Sequence, residues 1–156
     1  MLTLRVLRMT DIKSQIEDYL NLLDMKHTWN SKEEHFELVF SERKDGKTAT
    51  PDDKDAFQYT VFIRPGVKWI QIYTDLYAVS NIPQDKREKV FLELLLANRR
   101  YAEVCFDFCE NHNSIGSSQE MMVQGLNFDG FREEFLAVPW AVKKFWTDIA
   151  TKFDLK

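Results

Sequence analysis

Apolar residues recur at helical spacing from Asp11 to Met25, where Ile12, Ile16, Tyr19, Leu20 and Leu23 form one stripe behind a Thr10 or Asp11 cap. The period then changes. Segment 28–41 contains Phe36-Glu37-Leu38-Val39-Phe40, which reads as a strand. Residues 42–55, ERKDGKTATPDDKD, read as an exposed loop within one domain. Two strands follow, Phe57–Arg64 and Val67–Thr74, divided by the turn dipeptide Pro65-Gly66. Residues 75–83 fix neither period. A helix is predicted from Pro83 or Gln84 to Arg100, and a strand from Glu103 to Glu110. After a turn over 111–116, Ser117–Gln124 pairs back as a hairpin, and a long helix runs over Phe128–Phe153, where Pro139 is expected to produce a kink. The order α-β-β-β-α-β-β-α predicts an α+β fold: one domain over residues 1–156, an antiparallel sheet of about five strands with three helices.

Periodicity also sorts the faces. In helix 84–100, Val90, Phe91, Leu92, Leu94, Leu95, Leu96 and Ala97 leave only the sector around Glu93 free of apolar groups. A helix lying on one sheet needs a stripe of little more than ~100°. One that is apolar nearly all round is expected to be buried on two sides. Its second side is assigned to a partner copy through Phe91, Leu92, Leu95 and Leu96; the other possible cover is the chain itself. In the last helix Phe131, Phe135, Val138, Val142, Phe145, Trp146, Ile149 and Phe153 form an ordinary core stripe. Trp140 lies opposite them beside Leu136, as a contact residue unless the Pro139 kink turns it inward.

The hairpin carries the second candidate surface. With Arg64 opposite Val67, the residues Phe57, Tyr59, Val61, Ile63, Ile70 and Ile72 share the core face. The other face sets Phe62 against Trp69, with Tyr73, Arg64, Gln58, Thr60 and Gln71 around them. Aromatics mixed with Arg and Gln suit a binding face. Phe62, Arg64, Trp69, Tyr73 and Trp140 are therefore the candidate partner-binding residues. A register slip of one residue would exchange the two faces.

Composition narrows the partner. A chain of 156 residues with 44% hydrophobic positions builds a core without a metal or disulfide staple. Its rings, 12 Phe, 4 Trp and 5 Tyr, favour contact surfaces as well as core. The net charge of −4, a pI near 5.4 and the lack of a basic stripe disfavour nucleic acid. No apolar run reaches membrane-spanning length, and the first ten residues do not read as a secretory signal. Cys105 and Cys109, four apart in a strand, place their Cα atoms ~13 Å apart, beyond the ~7 Å limit for a disulfide. Two free thiols suit a reducing cytoplasm.

No catalytic signature is present: no Gly-x-Gly-x-x-Gly, no phosphate-binding loop, no His-Glu-x-x-His and no Gly-x-Ser-x-Gly. Cys109-x2-His112 could be joined by Asp107 or His35, but no second ligand pair exists, so it reads as a strand thiol and a turn histidine. The same Cys109 and His112 are the only cysteine–base pair for nucleophilic chemistry. Asp52, Asp53 and Asp55 read as solvated loop carboxylates. No catalytic residue, metal or cofactor is expected.

Residues 82–108, IPQDKREKVFLELLLANRRYAEVCFDF, form a helix that begins after a proline, ends in Asn98-Arg99-Arg100 and feeds directly into an alternating strand. With the order of elements and a final helix after a hairpin, this resembles the type III secretion chaperone-like fold, including the YbjN-like bacterial proteins. The resemblance implies a small acidic cytoplasmic protein, commonly dimeric, that binds another polypeptide and catalyses nothing. The alternative function class is a small-ligand sensor or enzyme with a pocket between sheet and helices. A deep pocket with clustered polar groups would favour it, and a broad open apolar surface would favour a polypeptide partner.

Overall fold

The computed structural model describes the backbone of residues 2–47, 49–50 and 52–156, and side chains from Asp11 onward with the same two gaps. Helix α1 covers Leu2–Leu22, so Thr10 and Asp11 lie inside it and neither caps it. Ile16 and Leu20 of its apolar stripe are fully buried. Segment 28–41 contains two strands rather than one. A short β1, Thr28–Asn30, turns at residues 31–34 and pairs antiparallel with β2, His35–Arg43. Glu34, at φ +54°, makes the turn possible, and a three-residue strand is too short for periodicity to reveal it.

Strands β3 (Ala56–Pro65) and β4 (Trp69–Ala78) form the central hairpin. Its register differs from the expected one: Arg64 faces Gln71, and Phe62 faces Tyr73 instead of Trp69. The turn is wider because Pro65 still pairs with Ile70, leaving Gly66–Lys68 as the loop. A Cβ on Gly66 would stand 2.6 Å from the Trp69 carbonyl oxygen, so the close approach requires glycine. The displacement is an even number of residues, so no side chain changes face. Tyr59, Val61, Ile63, Ile70 and Ile72 are all buried on the core side.

After β4 come two short 3-10 turns, Val79–Asn81 and Gln84–Lys86, and then α2, Arg87–Arg100. Strands β5 (Phe106–Cys109) and β6 (Ser114–Met122) complete an antiparallel six-stranded sheet of order β1-β2-β3-β4-β6-β5. The fold is thus α+β, with one strand more than expected. Helix α3, Phe128–Lys144, is capped by the Asn127 side chain, which accepts a bond from the Gly130 N–H. It passes through Pro139 without a break. Its irregular turn comes later, a π-helical stretch over Phe145–Ala150, before a last α-helical turn at Thr151–Phe153.

Helices α1 and α3 pack on one face of the sheet, while α2 packs beside β5 and the π-helical stretch. The predicted α3 stripe is the heart of this core. Phe131 and Phe135 stack with centroids 5.9 Å apart, and Phe145 and Trp146 are buried against Tyr77. The charged loop is pinned rather than loose. Arg43 bonds Asp45 at 3.0 Å and Asp53 at 2.9 Å, and Asp53 is largely buried, so it is not the solvated carboxylate expected. The Arg43 guanidinium holds the Asp45 carboxyl well below the usual range and lowers the pKa of Asp53 as well.

Candidate functional site

With both long helices on one side, no helix among the described residues lies over the other face of the sheet. Alternation assigns it Val39 from β2, Phe62 and Arg64 from β3, Trp69, Gln71, Tyr73 and Asp75 from β4, and Gly116, Ser118, Glu120 and Met122 from β6. Val39, Trp69 and Met122 are exposed. Phe62 and Tyr73 are half-buried because they cover each other across the strands, stacked at 5.2 Å with 27° between the rings. The Arg64 guanidinium stands 5.5 Å from the Tyr73 ring. Trp69 has 43% of its surface exposed, opposite Met122 and with the Lys68 ammonium 5.8 Å from its ring. Four of the five candidate partner-binding residues, Phe62, Arg64, Trp69 and Tyr73, therefore share one surface.

Trp140 does not join them. It projects from α3 on the helical side of the molecule, 38% exposed, edge-on to Tyr101 at 5.6 Å and 80°. Lys144 lies 5.5 Å from the Trp140 ring and 4.9 Å from that of Tyr101. Tyr101 is the C-cap of α2, and its hydroxyl donates to Asp148. Trp140 thus borders the end of α2.

Helix α2 presents the leucines assigned to its second side outward, but it buries the Glu93 sector that was expected to stay free. Its inner face is Val90, Glu93, Leu94 and Ala97. Leu92, Leu95 and Leu96 point outward, at 57%, 67% and 44% exposure, and Phe91 is half-buried. The polar sector around Glu93 faces in because two cations meet it: Lys152 Nζ at 2.6 Å and Arg100 Nη1 at 3.3 Å. The bond from Lys152 holds the Glu93 carboxyl below its ordinary pKa, against the opposing effect of desolvation. Because the folded-state pKa is depressed, its stabilisation is present above the unfolded pKa and is lost as pH falls through the folded one. Glu93→Gln should therefore flatten the acid limb of the stability profile below the ordinary carboxylate range. Urea midpoints at pH 7 and pH 3.5 check this, and equal acid losses in variant and parent would contradict it.

A cavity of about 500 Å³ lies on the uncovered sheet face, continuing the aromatic surface toward β5. Phe62, Arg64, Tyr73, Asp75, Asp107 and His35 are among its lining residues. His35 Nε2 lies 3.0 Å from Glu37 Oε1, which also accepts from Asn30 at 2.8 Å; these two bonds, Asn30's the larger, lower the Glu37 pKa. Asp75 and Asp107 flank Gly116 on neighbouring strands. A Cβ on Gly116 would lie 2.4 Å from the Asp107 carboxylate and 2.9 Å from the Thr74 carbonyl oxygen, so glycine lets Asp107 fold over the strand. Loss of hydration raises the Asp107 pKa, the Asp75 charge adds to it, and a bond from Ser118 opposes both. A second cavity, about 520 Å³, sits where Ile12 of α1 meets Val67, Lys68 and Met122 at the sheet rim. Cys105 and Cys109 are both free thiols.

The chain matches no protein-family model and no curated protein. Its fold does match solved structures. It superposes on the ExsC–ExsE complex with TM-score 0.56 and 10% identity, covering 90% of this chain and 94% of that one. The HopA1–SchA chaperone–effector complex gives 0.55 and 12%, covering 88% and 93%. YbjN from E. coli gives 0.59 and 12%, covering 91% and 93%. The chain thus has the type III secretion chaperone-like fold that YbjN shares. Among the described residues no helix is long and apolar enough to cross a membrane.

Proposed function

We propose that this is a non-enzymatic, chaperone-like or regulatory protein of the cytoplasm that binds another polypeptide and acts as a homodimer. The observation that carries the reading is the uncovered sheet face, where Phe62, Arg64, Trp69 and Tyr73 stand together with exposed Val39 and Met122. An unpartnered face of this composition matches the core of a protein–protein interface, rich in aromatics and Arg. Two solved proteins of the same fold support a polypeptide as the ligand, one of them a chaperone bound to its effector. The dimer uses the outer side of α2, Phe91, Leu92, Leu95 and Leu96, with Trp140 at its border.

Trp69→Ala tests the face. A ring this exposed contributes little to the protomer, so the variant should lose no more than ~1 kcal/mol in urea unfolding. The partner is identified by capture from the native cell with mass spectrometry and then purified. Trp69→Ala should bind it at least about thirtyfold more weakly, as for an anchor worth ~2 kcal/mol. Unchanged affinity would refute the reading. A stability loss of ~3–5 kcal/mol would place Trp69 in the core and refute it as well.

A further inference from the structure

The far wall of the same cavity gathers Asp75 with Cys109 and His112, two side chains close in sequence and a third from a distant strand. Asp75 lies on β4 where the register shifts between Asp75 and Tyr77. Cys109 ends β5, and His112 sits in the exposed turn to β6, next to Asn113 at φ +48°. One donor atom from each, a carboxylate oxygen, a thiol sulfur and a ring nitrogen, lie within 4.8 Å of one another.

We propose that Asp75, Cys109 and His112 bind one divalent transition-metal ion of the zinc class, with a fourth position open to the cavity. The donor set selects the class. Thiolate and imidazole favour zinc and its neighbours, whereas magnesium and calcium demand oxygen. Three protein ligands with a free position make a site at which a further ligand can exchange. His112 Nδ1 is 2.6 Å from Asp75 Oδ2, a hydrogen bond that represents the metal-free form. The ion takes the place of the bridging proton, the neutral ring then carries its proton on Nε2, and the two atoms part to roughly 3 Å, the separation that metal bonds of ~2 Å set. The exposed turn lets the imidazole make that movement. Ser114 Oγ donates to the other Asp75 oxygen at 2.8 Å, orienting the carboxylate as an outer-shell partner does. Coordination requires the Cys109 thiolate, so uptake of the ion releases the thiol proton.

The site does not depend on the polypeptide-binding reading, because none of its three ligands is among Phe62, Arg64, Trp69 and Tyr73 or on α2, although Phe62, Arg64 and Tyr73 line the same cavity.

The test is Zn2+ titration of the full chain against a chromophoric chelator, with Co2+ substitution as an optical report. One Zn2+ should bind per chain, and Co2+ should give a thiolate charge-transfer band. Cys109→Ser should abolish the band and weaken Zn2+ binding at least about tenfold. Cys105→Ser, which removes the other thiol, should preserve both. His112→Ala in the exposed turn serves as a second variant that leaves the core untouched, and it too should lose at least about tenfold in affinity. Absence of the band, equal behaviour of the two cysteine variants, or full affinity in His112→Ala would overturn the site.

Discussion

In the proposed dimer through α2, the double variant Leu92→Glu, Leu96→Glu will be a folded monomer at concentrations where the parent protein associates. Both side chains point away from the chain's own core, at 57% and 44% exposure, so the substitutions leave the protomer's packing intact. Exposed substitutions of this kind usually change stability by no more than about 0.5 kcal/mol. In a two-fold dimer each position occurs twice, so the variant removes four leucines from one interface and adds four charges to it. Burying a leucine contributes ~1.5–3 kcal/mol, and an unpaired buried charge is costly in addition. About half of each side chain is left for a partner to cover, so the lower figure gives about 3 kcal/mol in all and weakens association by more than about a hundredfold. Sedimentation velocity, with circular dichroism to establish folding, gives the answer. A parent that is monomeric at high concentration, or a variant that remains dimeric, would remove α2 as the interface.

Phe135→Ala will lose ~3–5 kcal/mol of stability, the range for deleting a large aromatic from a core. Phe135 is fully buried, stacked on Phe131 and 6.1 Å from Phe40. It therefore touches both α3 and the sheet that α3 covers. A domain of this size has a total stability of about 5–15 kcal/mol, so the loss is a large share of it. At ~2–4 °C per kcal/mol, the melting temperature should fall by about 10 °C. Trp69→Ala removes a larger ring for a far smaller loss, because Trp69 lies on the uncovered side of the same sheet. Parallel urea curves compare the two. If Phe135→Ala cost under ~1 kcal/mol, or less than Trp69→Ala, the two faces of the sheet would be wrongly assigned.

The faces were legible before the pairing was. Strand side chains alternate with period two, and the α3 stripe recurs with period 3.6, so short-range order along the chain sorts inside from outside. This is why Phe62, Trp69 and Tyr73 occupy one surface although Phe62 meets Tyr73 rather than Trp69. An even displacement preserves face, and only the details of the turn around Gly66 set how large it is. The same local order marks α2 as apolar on too many sides for a single sheet.

Contacts between distant segments decide the rest. Composition places Glu93 at the polar edge of α2, yet Lys152 and Arg100 hold it inside and the leucines turn out. The direction of a mixed helix depends on which partners the fold supplies, and Lys152 belongs to the last turn of the chain. Strand β1 forms only because β2 provides its hydrogen bonds, and three residues carry no period of their own. Cys109 and His112 are visible as neighbours along the chain, whereas Asp75 reaches them only because β4 pairs with β6 beyond the intervening α2 and β5. Periodicity is a local property of a helix or strand, while register, helix orientation and clusters of side chains are set by which surfaces pack together.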